Sequence, residues 1–104
     1  MKKEEIYSLS KIVNYQNDAI VSKTIIDNKS GSLTLFAFDK GQSLSEHTSP
    51  FDAIVNIFEG EAKIIISGES YRLKKGNMII MPKNKPHSVK AEEQFKMLLI
   101  MIRE

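Results

Sequence analysis

The chain contains no cysteine and no tryptophan in its 104 residues. Without thiols there is no disulfide framework, no thiolate metal site and no cysteine nucleophile. A metal could be held only by imidazole, carboxylate, amide or water, a donor set that suits Fe, Mn, Ni, Cu or Zn. Histidine is nearly absent too, with only His47 and His87. Arginine is limited to Arg72 and Arg103, the second at the frayed end, which is too few to grip a nucleotide diphosphate. No apolar run approaches the ~20 residues of a membrane helix. The opening MKKEEIYSLS is charged, then mixed, and lacks the apolar core of a secretory signal. A cytoplasmic protein with no membrane partner is expected. The net charge of +2 comes from scattered lysines offset by nearby acids, as in KKEE and KAEEQFK. Nucleic-acid binders cluster their charge and add stacking aromatics, so no nucleic-acid partner is expected.

What is present is short apolar segments separated by turns. Residues 1–18 form a segment apart, in which Ile6, Leu9, Ile12 and Val13 recur at helical spacing. A short helix lying across one end of the fold follows. From Ala19 the rhythm changes to AIVSKTIID, SLTLFAFD, AIVNIFE, AKIIIS, YRL, NMIIM, HSVKA and FKMLLIMIR. Eight to ten short strands with Gly-bearing turns predict an all-β sandwich or barrel, a single domain over residues 19–104. Glu59-Gly60-Glu61 and Gly68-Glu69-Ser70 read as hairpin turns. NMIIM and MLLIMI are apolar on both faces, so each needs cover from a second sheet or a second subunit. The chain is short for complete self-coverage, which favours a homodimer. Asn56, alone among apolar neighbours, is expected to face outward or meet an interface. Met78, Met81, Met97 and Met101 read as flexible core filling rather than copper ligands.

Two stretches carry a motif. Gly41 is followed after five residues by His47, and the stretch ends at Gly60. Gly76 is followed by NMIIM, Pro82 and then His87. Together they resemble the two motifs of the cupin family, spanning Gly41 to Ala91, about half the chain. The resemblance implies a double-stranded β-helix, or jelly-roll barrel. It also implies that both histidines stand at metal-ligand positions, pointing inward under an open mouth. The chain departs from the pattern at four positions. Ser49 replaces the second histidine and Ala53 the glutamate of the family's metal site; Asn84 replaces a glycine and Ala91 an asparagine.

Three functions are compatible with these residues. The first is a pocket for a small, mostly apolar ligand, with His47, Ser49, Phe51 and His87 at the ligand and walls from Val55, Ile57, Met97, Leu99 and Met101. Residues i and i+2 of a strand share a face, which would place Ser49 beside His47. The second is a metal-dependent cupin enzyme of dioxygenase or isomerase type. Two imidazoles hold a divalent metal weakly, so it needs a third ligand, for which Asp52 is the candidate if Pro50 shifts the strand register. The third is a metal-free acid–base isomerase using a histidine with an acidic partner, as in cupin-like sugar-nucleotide epimerases. Small-molecule binding is the favoured reading.

Overall fold

The computed structural model describes residues 1–103. One helical turn, α1 (Leu9–Ile12), precedes eight strands: β1 (Ile20–Asn28), β2 (Gly31–Phe38), β3 (Ser43–His47), β4 (Asp52–Ile66), β5 (Glu69–Lys74), β6 (Met78–Met81), β7 (His87–Lys90) and β8 (Phe95–Ile102). Every pairing is antiparallel. One sheet runs β1-β2-β8-β4-β6 and the other β5-β4-β7-β3. The two share β4 and curl into one barrel.

β4 belongs to both sheets because it turns a corner at Gly60. Its first part pairs with β8 and β6, and its second part, from Glu61, pairs with β5 and β7. The register against β8 shifts between Ile57 and Glu59, and Gly60 has φ +74°. A Cβ at Gly60 would overlap the Gln94 carbonyl and crowd Phe95. Only glycine combines that left-handed backbone with so close an approach. Glu59-Gly60-Glu61 is therefore not a hairpin turn, as the sequence suggested, but a bend inside one long strand. The two runs AIVNIFE and AKIIIS are continuous. The other expected turn, Gly68-Glu69-Ser70, forms earlier, at Ser67-Gly68: these two residues, at φ +50° and +84°, join β4 to β5, and Glu69 and Ser70 already pair within β5.

Alternation along the strands builds the interior. Val55, Ile57, Ile64, Phe38 and Phe95 are fully buried, and the Phe38 and Phe95 rings stack at 4.5 Å. Each such side chain contributes on the order of 1.5–3 kcal/mol by leaving water. The amino-terminal segment packs on the outside. Its helix is limited to four residues, with no side-chain cap at Ser8, because one turn barely repays the cost of nucleation. Ile6 is wholly exposed, so the helical spacing does not extend to it. Val13 is buried against Leu35 and Ala37. The buried Lys96 fastens this segment: its Nζ donates to the Ser10 carbonyl at 2.6 Å and lies 3.6 Å from Glu59 Oε2 and 5.0 Å from the Tyr15 ring centre. Tyr15 donates its hydroxyl to Glu59 at 2.5 Å. Burial, then this bond to a carboxylate, pushes the Tyr15 phenol well up from its ordinary value.

The outer face of the first sheet keeps an apolar row. Ile26, Leu33, Ile100, Ile54 and Ile80 stand opposite one another in a single row across five strands. Asn56 faces outward, as expected, between Leu98 and Met78. Met78, Ile80 and Ile102 are exposed. The two-faced runs thus have their inner face covered by the second sheet and much of their outer face bare.

Candidate functional site

The two histidines meet at the open end of the barrel. His47 closes β3 and His87 opens β7, and the two residues are register partners. Their Nε2 atoms lie 3.1 Å apart, with ring centres at 4.3 Å and planes at 69°. Each ring is held from behind. His47 Nδ1 lies 2.8 Å from the Ser45 carbonyl, and His87 Nδ1 lies 3.1 Å from the Lys85 carbonyl. A carbonyl can only accept, so both Nδ1 atoms carry hydrogen. With both rings neutral, two Nε2 lone pairs would face each other. Both Nε2 atoms are thus available to accept a hydrogen bond or to bind a cation. His87 is buried and His47 exposed. Desolvation lowers the pKa of His87 from its ordinary 6.5; the Lys85 carbonyl opposes this and the charge of His47 adds to it.

Proline and left-handed residues fix these positions. The turn after β6 runs Pro82-Lys83-Asn84, with Asn84 at φ +62°. Asparagine tolerates that region far better than most residues, so it serves where the family pattern has glycine. Gly41 and Gly76 also have positive φ. Ala91, in the asparagine position, acts through its backbone, accepting from Gly41 N–H at 2.7 Å and donating to the Gln42 carbonyl at 2.9 Å.

The imidazole pair borders a cavity of about 330 Å³. Of the expected residues, His47, Ser49, Phe51, His87, Met97, Leu99 and Met101 all line it. β3 stops at His47, yet Ser49 reaches the same space from the loop, where its Oγ accepts from Phe51 N–H at 3.2 Å. Val55 and Ile57 do not line the cavity; they are sealed in the packed end of the barrel. Leu44, Met81, Val89 and Arg103 also line it, residues for which the sequence reading gives no pocket role. For Met81 the alternation of NMIIM was signal enough, since Met81 pairs with inward-facing Ala53.

Two expectations fail at the rim. Asp52 does not turn toward the histidines. It faces outward opposite Ile102, and its Oδ1 accepts from Lys83 N–H at 2.8 Å. Simple alternation holds through Ala53 despite Pro50, so the carboxylate staples two loops together outside the cavity. Arg103 is not frayed. Its backbone N–H donates to Ser30, and its Nη1 donates to Asp27 and to the Asn28 carbonyl, each at 2.6 Å.

The donor set can be tested for a metal. Two imidazole nitrogens bound to one tetrahedral zinc lie about 3.3 Å apart, close to the observed Nε2 separation. Nothing completes the set: among the described residues, no group of three His, Cys, Asp or Glu side chains could hold a metal ion. Ala53 has no donor where the family pattern has glutamate. The residues present do not make a four-ligand resident metal centre.

A curled antiparallel barrel with two histidines at its mouth defines a jelly-roll fold. Residues 34–103 match the cupin domain, and the chain belongs to the cupin family. It is similar to a conserved protein of unknown function from Streptococcus pyogenes, with 36% identity and a TM-score of 0.95, covering 100% of this chain and 91% of that one. A cupin 2 conserved barrel domain protein from Leptotrichia buccalis is 41% identical over 92% of this chain at a TM-score of 0.90; the match spans 47% of that protein. The salicylate 1,2-dioxygenase of Pseudoaminobacter salicylatoxidans shares the fold at 19% identity and a TM-score of 0.75, over 80% of this chain and 26% of that one. No protein of curated function matches the chain.

Proposed function

We propose that the barrel is a binding site for a small, largely apolar molecule, taken in beside His47 and His87 with Ser49 and Phe51 at the rim. The observation that carries this reading is the cavity itself, with its methionine and leucine walls and one cluster of polar nitrogens. Small-molecule sites have this composition. The altered ligand set supports it, because a metal-dependent reading would need a third protein donor and Asp52 is engaged elsewhere. A metal-free acid–base reading would need an acidic partner for the histidines, and no carboxylate lines the cavity among the described residues. The test uses the two histidine Cε1–H resonances of untagged, chelator-treated protein. A small-molecule library screened by thermal shift gives hits that also move both resonances. Stabilisation that leaves both unmoved would place the ligand elsewhere and end this reading.

The working unit in this proposal is a homodimer. The aliphatic row on the outer sheet crosses five strands, or ~19 Å at strand spacing. An exposed apolar row gives a second subunit a surface to cover, and two-fold pairing sets the same row against itself. Sedimentation velocity at micromolar concentration tests it: a dimer is expected for the native chain and a monomer for Ile54→Lys/Ile100→Lys. A monomeric native chain would sink the idea.

A further inference from the structure

The cavity contains one permanently charged side chain, and its placement narrows the ligand class. On β8 the inward-facing positions are Met97, Leu99 and Met101. The same alternation brings Arg103 to the rim just beyond the strand, on the sheet facing the histidines. The guanidinium is held at one end only. Asp27 and the Asn28 carbonyl both take Nη1 at 2.6 Å. Among the described residues, none accepts a hydrogen bond from Nη2 or Nε. These two nitrogens form the side-on edge of the fork, whose parallel N–H groups match the two oxygens of a carboxylate. Asp27 is not part of the cavity wall, and among the described residues no acidic side chain is. A carboxylate entering the mouth therefore meets a clamped cation and, among the described lining residues, no like charge. Behind it lie the apolar walls, and beyond them the imidazole pair.

We infer that the cavity binds a small organic carboxylate with an apolar body, its carboxylate on the Nη2–Nε edge of Arg103 and its body between the β8 side chains and His47/His87. A planar monoanion fits one guanidinium better than a phosphate, which calls for more donors than this wall supplies. This inference rests on the barrel being the binding site, as proposed above, and names what fills it. In it Arg103 sets specificity, and Asp27 is a positioning residue that aims the guanidinium.

The test compares matched pairs, phenylacetate with phenylacetamide and hexanoate with hexanamide, titrated into the untagged full chain while the two histidine Cε1–H resonances are followed. The carboxylates are expected to shift them at concentrations at least tenfold below the amides. Arg103→Gln should abolish that advantage, so that acid and amide titrate alike, and Arg103→Lys should keep part of it. Asp27→Asn should retain the carboxylate preference, with an altered affinity. Equal titration of acid and amide in the native chain would overturn the carboxylate assignment and leave the barrel site standing; this comparison needs no variant to fold. Carboxylate binding undiminished in folded Arg103→Gln would overturn the role of Arg103. If none of the four compounds moves either histidine resonance, the inference and the reading beneath it both fail.

Discussion

The two ends of this barrel are built from the same strands and have opposite characters. At the packed end β8 contributes Phe95, and β4 contributes Val55 and Ile57, all fully buried. At the open end the same two strands contribute Leu99, Met101 and Ala53 around a cavity. Stacked aromatics and β-branched residues fill the first. Methionines, a small alanine and an imidazole pair border the second. The difference teaches where stability resides: tight packing at one end lets the other keep an unfilled volume.

Truncation should expose that contrast most sharply. Phe95→Ala removes the ring stacked on Phe38 and leaves a void, at an expected cost of about 3–5 kcal/mol. Leu99→Ala, on the same strand face but partly exposed at the cavity, should cost about half as much or less. Chemical denaturation of both variants checks the ratio. Equal losses would mean that the open end is as tightly packed as the closed one.

The corner between the sheets comes next. Gly60→Ala must hold a positive φ with its Cβ against the Gln94 carbonyl. A strained backbone site of this kind costs about 1–3 kcal/mol, a melting-temperature drop of roughly 4–8 °C for each kcal/mol in a domain this size. Gly41→Ala is the control, because positive φ is its only burden and its Cβ would meet open space. It should lose less.

A smaller effect is expected at the open end, as pH dependence. The depressed pKa of His87 means that the folded chain takes up its proton at lower pH than the unfolded chain does. Between 6.5 and that lower value the unfolded state binds more protons, so stability falls as pH falls through this window. Above 6.5 the contribution is complete. Urea titrations of chelator-treated protein at pH 7.5 and 5.5 should show the loss, and His87→Asn should flatten it. A native chain equally stable at both values would contradict the burial argument.

The difference between the ends also governs what could be read from the sequence. The strands and the barrel were legible because alternation acts locally and repeats, and the meeting of His47 with His87 was legible only through the resemblance to the cupin motifs. The corner at Gly60 was not, because an EGE triplet in a strand and in a hairpin look alike; only the neighbouring Gln94 carbonyl distinguishes them. Lys96 looked like a surface lysine, and its burial depends on Ser10 arriving from 86 positions away. Arg103 looked frayed because its partners, Asp27 and Asn28, are distant in sequence and close only in the folded sheet. Both ends hold such long-range meetings, Lys96 with Ser10 beside the packed end and Arg103 with Asp27 at the open one.

Asp52 offers the smallest and most discriminating change. Its carboxylate accepts one hydrogen bond, from Lys83 N–H, at an exposed site outside the cavity. Removing a single exposed bond of this kind costs about 1 kcal/mol or less. Asp52→Ala should therefore lower the melting temperature slightly by loosening the loop that carries Ser49 and Phe51 against the Asn84 turn. The His47 and His87 Cε1–H resonances should stay where they are, and added Zn²⁺ or Mn²⁺ should perturb them at the same concentrations as in the native chain. If Asp52 were the third metal ligand, its removal would weaken the response to metal at least tenfold with little change in stability. The two roles move different observables, so one variant, melted and titrated, separates a loop staple from a ligand.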